Sequence, residues 1–216
     1  MKSTDGLKTY SMNFSDLKAQ IYSYLGFRGV GESKETDELI LSCLSDLEKI
    51  AQFNYIYRYF EELPAFLSHP GYRELLEGTT GVIISLMTLG AEVDKYLNRL
   101  SRIDMGRAVV FDACASAYLE AKSDEFERGI GENLTYRFCP GYGGTSIADL
   151  REVFALLRPE RIGITLNESN FMLPSKSMAG VIGVGKQKKK TCEGCIILPH
   201  CKYREANTRC YSLTKK

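Results

Sequence analysis

The 216-residue chain has no tryptophan, only two histidines and six prolines, and no excess of charge of one sign, with 28 Lys and Arg against 27 Asp and Glu. That balance leaves no global field to gather nucleic acid or an anionic membrane, which excludes non-specific polyanion binding as a function. No apolar run approaches the roughly 18 residues a membrane span requires. The longest candidate, Val82 to Leu89, is broken by Ser85 and Thr88. The opening MKSTDGLKTY is not followed by an apolar segment or a small-residue cleavage site, so a cytoplasmic protein is expected. Internal repeats, dinucleotide fingerprints and P-loops are also lacking. Gly180, Gly183 and Gly185 lie within or beyond a strand that no helix follows, so they make no phosphate cradle.

What is present is the makeup of an ordinary globular protein, 44% hydrophobic and 25% charged, with one main domain as the default. Thr36, with Asp37 and Glu38 after it, signals the start of a helix whose apolar stripe is Ile40, Cys43, Leu44, Leu47 and Ile50. Phe53 to Phe60 places Phe53, Tyr55, Tyr57 and Tyr59 on one face at period two, as a strand does. Gly81 to Gly90 reads as a buried strand leading into a helix that carries Val93, Leu97 and Leu100 and ends near Ser101. From Asp104 to about Arg128 the pattern is helical, with Ala113, Ala117 and Ala121 at four-residue spacing.

Leu134 to Phe138 is expected as a short strand running into the turn CPGYGG. Ser146 and Asp149 have the spacing of a capping box before a helix that buries Leu150, Val153, Phe154 and Leu157 and stops by Pro159. Ile162 to Leu166 and Met178 to Val184 are expected as two strands joined by a polar loop from Asn167 to Ser177. The pattern predicts an α+β fold, a twisted, mainly antiparallel sheet with helices packed on it, over residues 1–185. A lysine-rich linker and a cysteine-rich tail follow over 186–216. The run GKQKKK from Gly185 reads as a solvated linker, the alternative being a docking surface for an acidic partner.

Seven cysteines are present, and four of them fall within nineteen consecutive positions. Cys43, Cys114 and Cys139 are scattered and expected as buried free thiols. Cys192, Cys195, Cys201 and Cys210, spaced C-x2-C-x5-C-x8-C, bring four soft ligands within reach of one metal, either an iron-sulfur cluster or zinc. His200 could replace one of them. A disordered tail with free thiols, or a disulfide pair, which a reducing cytoplasm disfavours, are the other accounts.

The most informative stretch is YRFCPGYGG, Tyr136 to Gly144. A strand here delivers Arg137, whose planar fork can grip a carboxylate. It then breaks at Cys139 into Pro140 and Gly141, a tight turn with exposed backbone polar groups, and Tyr142 adds a ring. A structural turn bearing a surface arginine is the plainer reading of the same residues.

This stretch resembles the signature of the cobalamin-dependent methionine synthase activation domain, in which Arg-x-x-Pro-Gly-Tyr forms the main S-adenosylmethionine (AdoMet) segment; here the residues are Arg137, Pro140, Gly141 and Tyr142. LNESNFMLPSKSMAG is similar to the family's Leu-Thr-Glu-Ser-x-x-Met-x-Pro-x-x-Ser-x-x-Gly through Leu166, Glu168, Ser169, Met172, Pro174, Ser177 and Gly180. FDACASAYLEA resembles its Asp-x-x-Ala-x-Ala-aromatic-x-Glu helix through Asp112, Ala115, Ala117, Tyr118 and Glu120. The matches span roughly residues 104–185. Gly143 and Gly144 depart from the family's Pro-Ala-Cys-Pro, its Asp-Trp segment has no counterpart, and the lysine run replaces its paired tyrosines.

The resemblance implies an AdoMet-binding accessory protein for reductive remethylation of a corrinoid-dependent methyltransferase such as methionine synthase. Arg137 would hold the methionine carboxylate and the Cys139 to Tyr142 turn the adenosine. Glu168, beside Ser169, would face the sulfonium or, alternatively, order its own loop. A corrinoid-binding Asp-x-His-x-x-Gly motif is absent, the only histidines being His69 and His200, so cobalamin is expected on a partner protein. The electron would come from a flavodoxin- or ferredoxin-type reductant or from an iron-sulfur cluster in the tail. Two rival functions fit the same residues: a non-catalytic module that binds a corrinoid protein, and an electron-transfer protein acting on corrinoid cobalt through the tail.

Overall fold

A computed structural model describes residues 14–27, 33–187, 192, 198–205 and 209. The chain begins with α1 (Phe14–Tyr24) and α2 (Lys34–Ile50), continues through β1 (Asn54–Phe60), α3 (Pro70–Leu76) and β2 (Gly81–Thr88), and reaches the long pair α4 (Ala91–Ile103) and α5 (Met105–Ile130). After an irregular stretch come α6 (Leu150–Leu157), the short β3 (Thr165–Leu166) and β4 (Met172–Leu173), β5 (Ser177–Val184) and, in the tail, α7 (Lys202–Glu205). The α+β class is the one expected.

Both pairings of the main sheet, ordered β1-β2-β5, are antiparallel. Because side chains alternate across a strand, the register sorts the sheet into two faces. One face carries Tyr55, Tyr57, Met87 and Met178, packed in a core with α1, α2, α4 and α5. Phe126 of α5 fills the gap between the tyrosines, its ring 4.7 Å from Tyr55 and 5.2 Å from Tyr57. Thus the aromatic ladder is core packing, with only Tyr59 falling outside it as an exposed side chain. The other face carries Ile56, Val82, Ile84, Leu86, Ala179 and Val181 and buries Tyr72, Leu75 and Leu76 of α3 and Leu150, Val153 and Leu157 of α6. The sheet is therefore sandwiched between two helical layers, and β2, apolar on both sides, is buried at every position.

Several local expectations are corrected. Helix α2 starts two residues before Thr36, because Ser33 is the cap and its Oγ accepts from the Thr36 amide at 3.1 Å. Ile162 ends a 3-10 turn, Pro159–Ile162, and β3 pairs with β4 rather than with β5, so the polar loop is itself a small hairpin. The capping box is half made: Ser146 Oγ accepts from the Ala148 amide at 3.1 Å, but Asp149 takes the Tyr72 hydroxyl at 2.8 Å. Cys43 and Cys114 are buried as expected, whereas Cys139 is half-buried. No described helix is long and apolar enough to cross a membrane.

Candidate functional site

Residues 134–138 run antiparallel beside β5, but not as the regular strand expected. They bridge it only at Leu134–Val184 and Phe138–Val181, five residues facing four on β5. One residue too many on one side is a bulge, and a bulge re-aims side chains. Thr135 repairs the ladder locally. Its amide donates to Gly183 O at 2.9 Å and its Oγ1 accepts from the Gly183 amide at 2.8 Å.

The side chain that follows is Arg137, which turns onto the face of the sheet covered by α5. Only 5% of it is exposed. Its guanidinium bonds Glu120 at 2.6 Å, Asp124 at 3.2 Å and also Glu127. Burial alone would lower the arginine's pKa, but the charges of Glu127, Glu120 and Asp124 outweigh it and hold the group firmly protonated. Three carboxylates converge on one guanidinium, and the cluster reaches solvent, since Glu120 and Asp124 keep 30% and 31% of their side chains exposed.

Two further matched segments meet here. Gly180 of β5 lies under the Arg137 stem; a Cβ on it would sit 2.9 Å from Cγ and Cδ of the arginine. Asp112, one helical stretch before Glu120, pairs with Lys176 at 2.8 Å, and Lys176 also donates to Ser116 Oγ at 2.9 Å. Helix α5 therefore clasps both the Arg137 segment and the strand that carries Gly180, while Ala115 and Ala117 are buried on its inner side.

The turn after Arg137 is pinned from within. Gly141, with φ of 92°, donates its amide to Thr145 Oγ1 at 3.0 Å, and Thr145 Oγ1 in turn donates to Tyr142 O at 2.7 Å. The Gly141 amide is thus not free, as the sequence reading supposed. Pro140 is buried, while Tyr142 is 71% exposed, its ring free to meet a ligand. Behind the turn, the Phe138 ring packs on Tyr72 at 5.5 Å, and burial, followed by the hydrogen bond to Asp149 and its charge, holds the Tyr72 hydroxyl well above its ordinary pKa.

Glu168 and Ser169 are exposed at the tip of the β3–β4 hairpin. Arg151 of α6 fastens that tip, donating to Glu168 O at 3.0 Å and to Asn170 Oδ1 at 2.7 Å. Of the four tail cysteines, Cys192 is half-buried and Cys201 buried, and Cys195 and Cys210 lie outside the described residues. Among the described residues no group of three or more His, Cys, Asp or Glu is arranged to hold a metal ion.

Asp124 and Glu127 were missed by sequence reasoning. Their signal is spacing: with Glu120 they stand at i, i+4 and i+7, which puts three acids on one helix face.

A comparison with solved structures finds the MetH reactivation domain, determined bound to AdoHcy, at a TM-score of 0.58 and 13% identity, covering 94% of this chain and 86% of that one. The two share a fold. The activation-domain-like architecture expected from the three motifs is therefore the one observed, and it extends over nearly the whole chain rather than the matched residues alone. No protein-family model and no curated protein matches the chain.

Proposed function

We propose that this chain binds AdoMet at the Arg137 site and presents its methyl group to a corrinoid carried by a partner protein, for reductive reactivation of a methionine synthase-type methyltransferase. What carries the reading is the likeness to a reactivation domain solved with AdoHcy, the product AdoMet leaves behind, together with the meeting of the three matched segments at one arginine.

The ion cluster suits such a ligand. The amino-acid end of AdoMet is a zwitterion, and a zwitterion can insert into an existing Arg–carboxylate pair without loss of charge pairing. Arg137 exchanges one of its acids for the ligand's carboxylate, and the freed acid, Glu120 or Asp124, meets the ammonium. Tyr142 and the Cys139–Gly141 backbone flank the adenosine, and Glu168 with Ser169 closes the far side. The protein's part is binding and orientation. The substrate cobalt, reduced by one electron from cobalt(II) to cobalt(I), attacks the methyl carbon, the carbon–sulfur bond breaks, and AdoHcy departs. A flavodoxin- or ferredoxin-type protein supplies that electron; were Cys192, Cys195, Cys201 and Cys210 to hold an iron-sulfur centre, that centre would supply one-electron chemistry in its place. Zinc on the same four thiolates would instead only fasten the tail. A brown protein with broad visible absorption selects the cluster over zinc.

The test is incubation of a corrinoid-binding protein in its cobalt(II) form with AdoMet and a one-electron reductant. The methylcobalt spectrum is expected only when this chain is present; an equal rate without it overturns the reading. A second reading, a binding module for corrinoid proteins that has lost AdoMet, is favoured by one observation. The Arg137 fork and the Gly141 amide are already satisfied by the chain's own groups. Absence of heat on calorimetric titration with AdoMet would select it.

A further inference from the structure

Strand β1 has a neighbour on one side only, since the main sheet is ordered β1-β2-β5. Which of its backbone groups face the open side follows from the ladder. Val181 exchanges amide and carbonyl with Phe138 outside the sheet, at 2.8 and 3.0 Å, so Gly180 and Ile182 turn theirs toward Ser85 and Ile83 of β2. The Leu89 amide, donating to Lys176 O at 2.9 Å, keeps the same alternation. Val82, Ile84, Leu86 and Thr88 are then the β2 residues that bond β1, through Phe60, Arg58, Ile56 and Asn54. The amides and carbonyls of Tyr55, Tyr57 and Tyr59 therefore point away from the sheet, and none of them meets a hydrogen-bond partner among the described residues.

Open edges are blunted in most proteins by proline, by a bulge, by lysines or by being very short. Strand β1 is seven residues long, contains no proline, pairs with β2 without a break and carries a single charge, Arg58. We infer that this edge is the interface of a homodimer, in which two copies of the chain join their three-stranded sheets into one continuous sheet. The strand matches itself. Turned antiparallel about Tyr57, one copy sets Tyr55 opposite Tyr59, and Tyr57 opposite Tyr57, of the other, so every outward amide and carbonyl finds a partner. Arg58 falls opposite Ile56 rather than its own image, so like charges do not meet. Tyr59, the member of the aromatic ladder left 44% exposed, gains Tyr55 of the second copy as a cross-strand neighbour on its own face. An extended peptide or a segment of the same chain would use the same backbone groups, but neither accounts for a register and a charge placement that suit the strand to itself.

Sedimentation of the intact chain over a range of concentrations, combined with amide hydrogen exchange, tests this. A monomer–dimer equilibrium is expected, with slow exchange at Tyr55, Tyr57 and Tyr59 that quickens on dilution. Tyr59→Pro removes an outward donor that β2 does not use, and is expected to weaken the dimer about tenfold or more. Tyr59→Lys leaves the backbone donor in place and is expected to weaken it less, which keeps the test open if the proline variant fails to fold. A chain that is monomeric throughout, with fast exchange at the three tyrosines, overturns the inference. Slow exchange at those amides in a monomer also overturns it, since the edge would then be covered by the chain itself. A dimer that Tyr59→Lys and a folded Tyr59→Pro both leave intact places the interface elsewhere and overturns it too.

Discussion

The Arg137 side chain crosses β5 directly over Gly180, at a point where a Cβ would come within 2.9 Å of the arginine stem and 2.8 Å of Ser85 Oγ. A Cβ does not come that close to another heavy atom, so residue 180 has no room for anything but hydrogen while Arg137 stays in place. Gly180→Ala is expected to destabilise the protein by about 1–3 kcal/mol, as overpacking of a filled interior does, and to move the guanidinium off its acids. Urea unfolding measures the first effect. Loss of ligand affinity beyond that of an equally destabilised core variant measures the second.

Removing the arginine head takes away the guanidinium that Glu120, Asp124 and Glu127 share. Arg137→Met keeps much of the stem, so its cost reports the charge. Because Glu120 and Asp124 are each about a third exposed, solvent makes up part of the lost pairing, and a loss of about 1–3 kcal/mol is expected rather than the larger figure for a fully buried pair. Added salt should recover part of it. Insensitivity to salt would show that packing, not charge, governs the site.

Tyr72 links the two sides of the turn, meeting Phe138 edge to face and donating to Asp149. Tyr72→Phe keeps the ring and leaves the carboxylate without its donor, for an expected loss of about 1–2 kcal/mol in thermal or urea unfolding. A neutral result would mean that Asp149 finds another donor.

Much of the fold was legible in the sequence, because the elements that carry it are long and periodic. Helices α4 and α5, β1 and β2 all appear where the apolar spacing put them, within a few residues at the ends. What failed to show was decided by contacts distant in sequence. Residues 134–138 look like a strand, but the bulge arises only against β5 and needs Thr135 to take a ladder bond. Asp149 has capping-box spacing, yet Tyr72, far away in the chain, offers a buried hydroxyl that outcompetes the local amide. At the site, the motif named Arg137, the turn and Gly180, while Asp124 and Glu127 lie outside the matched motifs. Nothing in a linear sequence says that an arginine will be buried against them.

A pH dependence follows from Asp46, which accepts from the Tyr96 hydroxyl at 2.7 Å and from Arg107 at 2.7 Å and so joins α2, α4 and α5. The Tyr96 bond first, and then the Arg107 bond, hold its pKa below the ordinary aspartate value. A folded pKa lower than the unfolded one means that this stabilisation is complete above the ordinary value, about 4. It fades as pH falls below that value through the folded pKa. Asp46→Asn is expected to lower stability at neutral pH and to flatten the acid limb of the stability curve. An acid limb as steep as that of the parent protein would remove Asp46 as its source.

The most direct check on the central claim is a crystal structure of the chain grown with AdoMet. The account expects the ligand's carboxylate on the Arg137 guanidinium, its ammonium or sulfonium within reach of Glu120 or Asp124, and the Tyr142 ring beside the adenine. A structure at saturating AdoMet in which Arg137 keeps all three of its acids and no ligand lies against Tyr142 would contradict it.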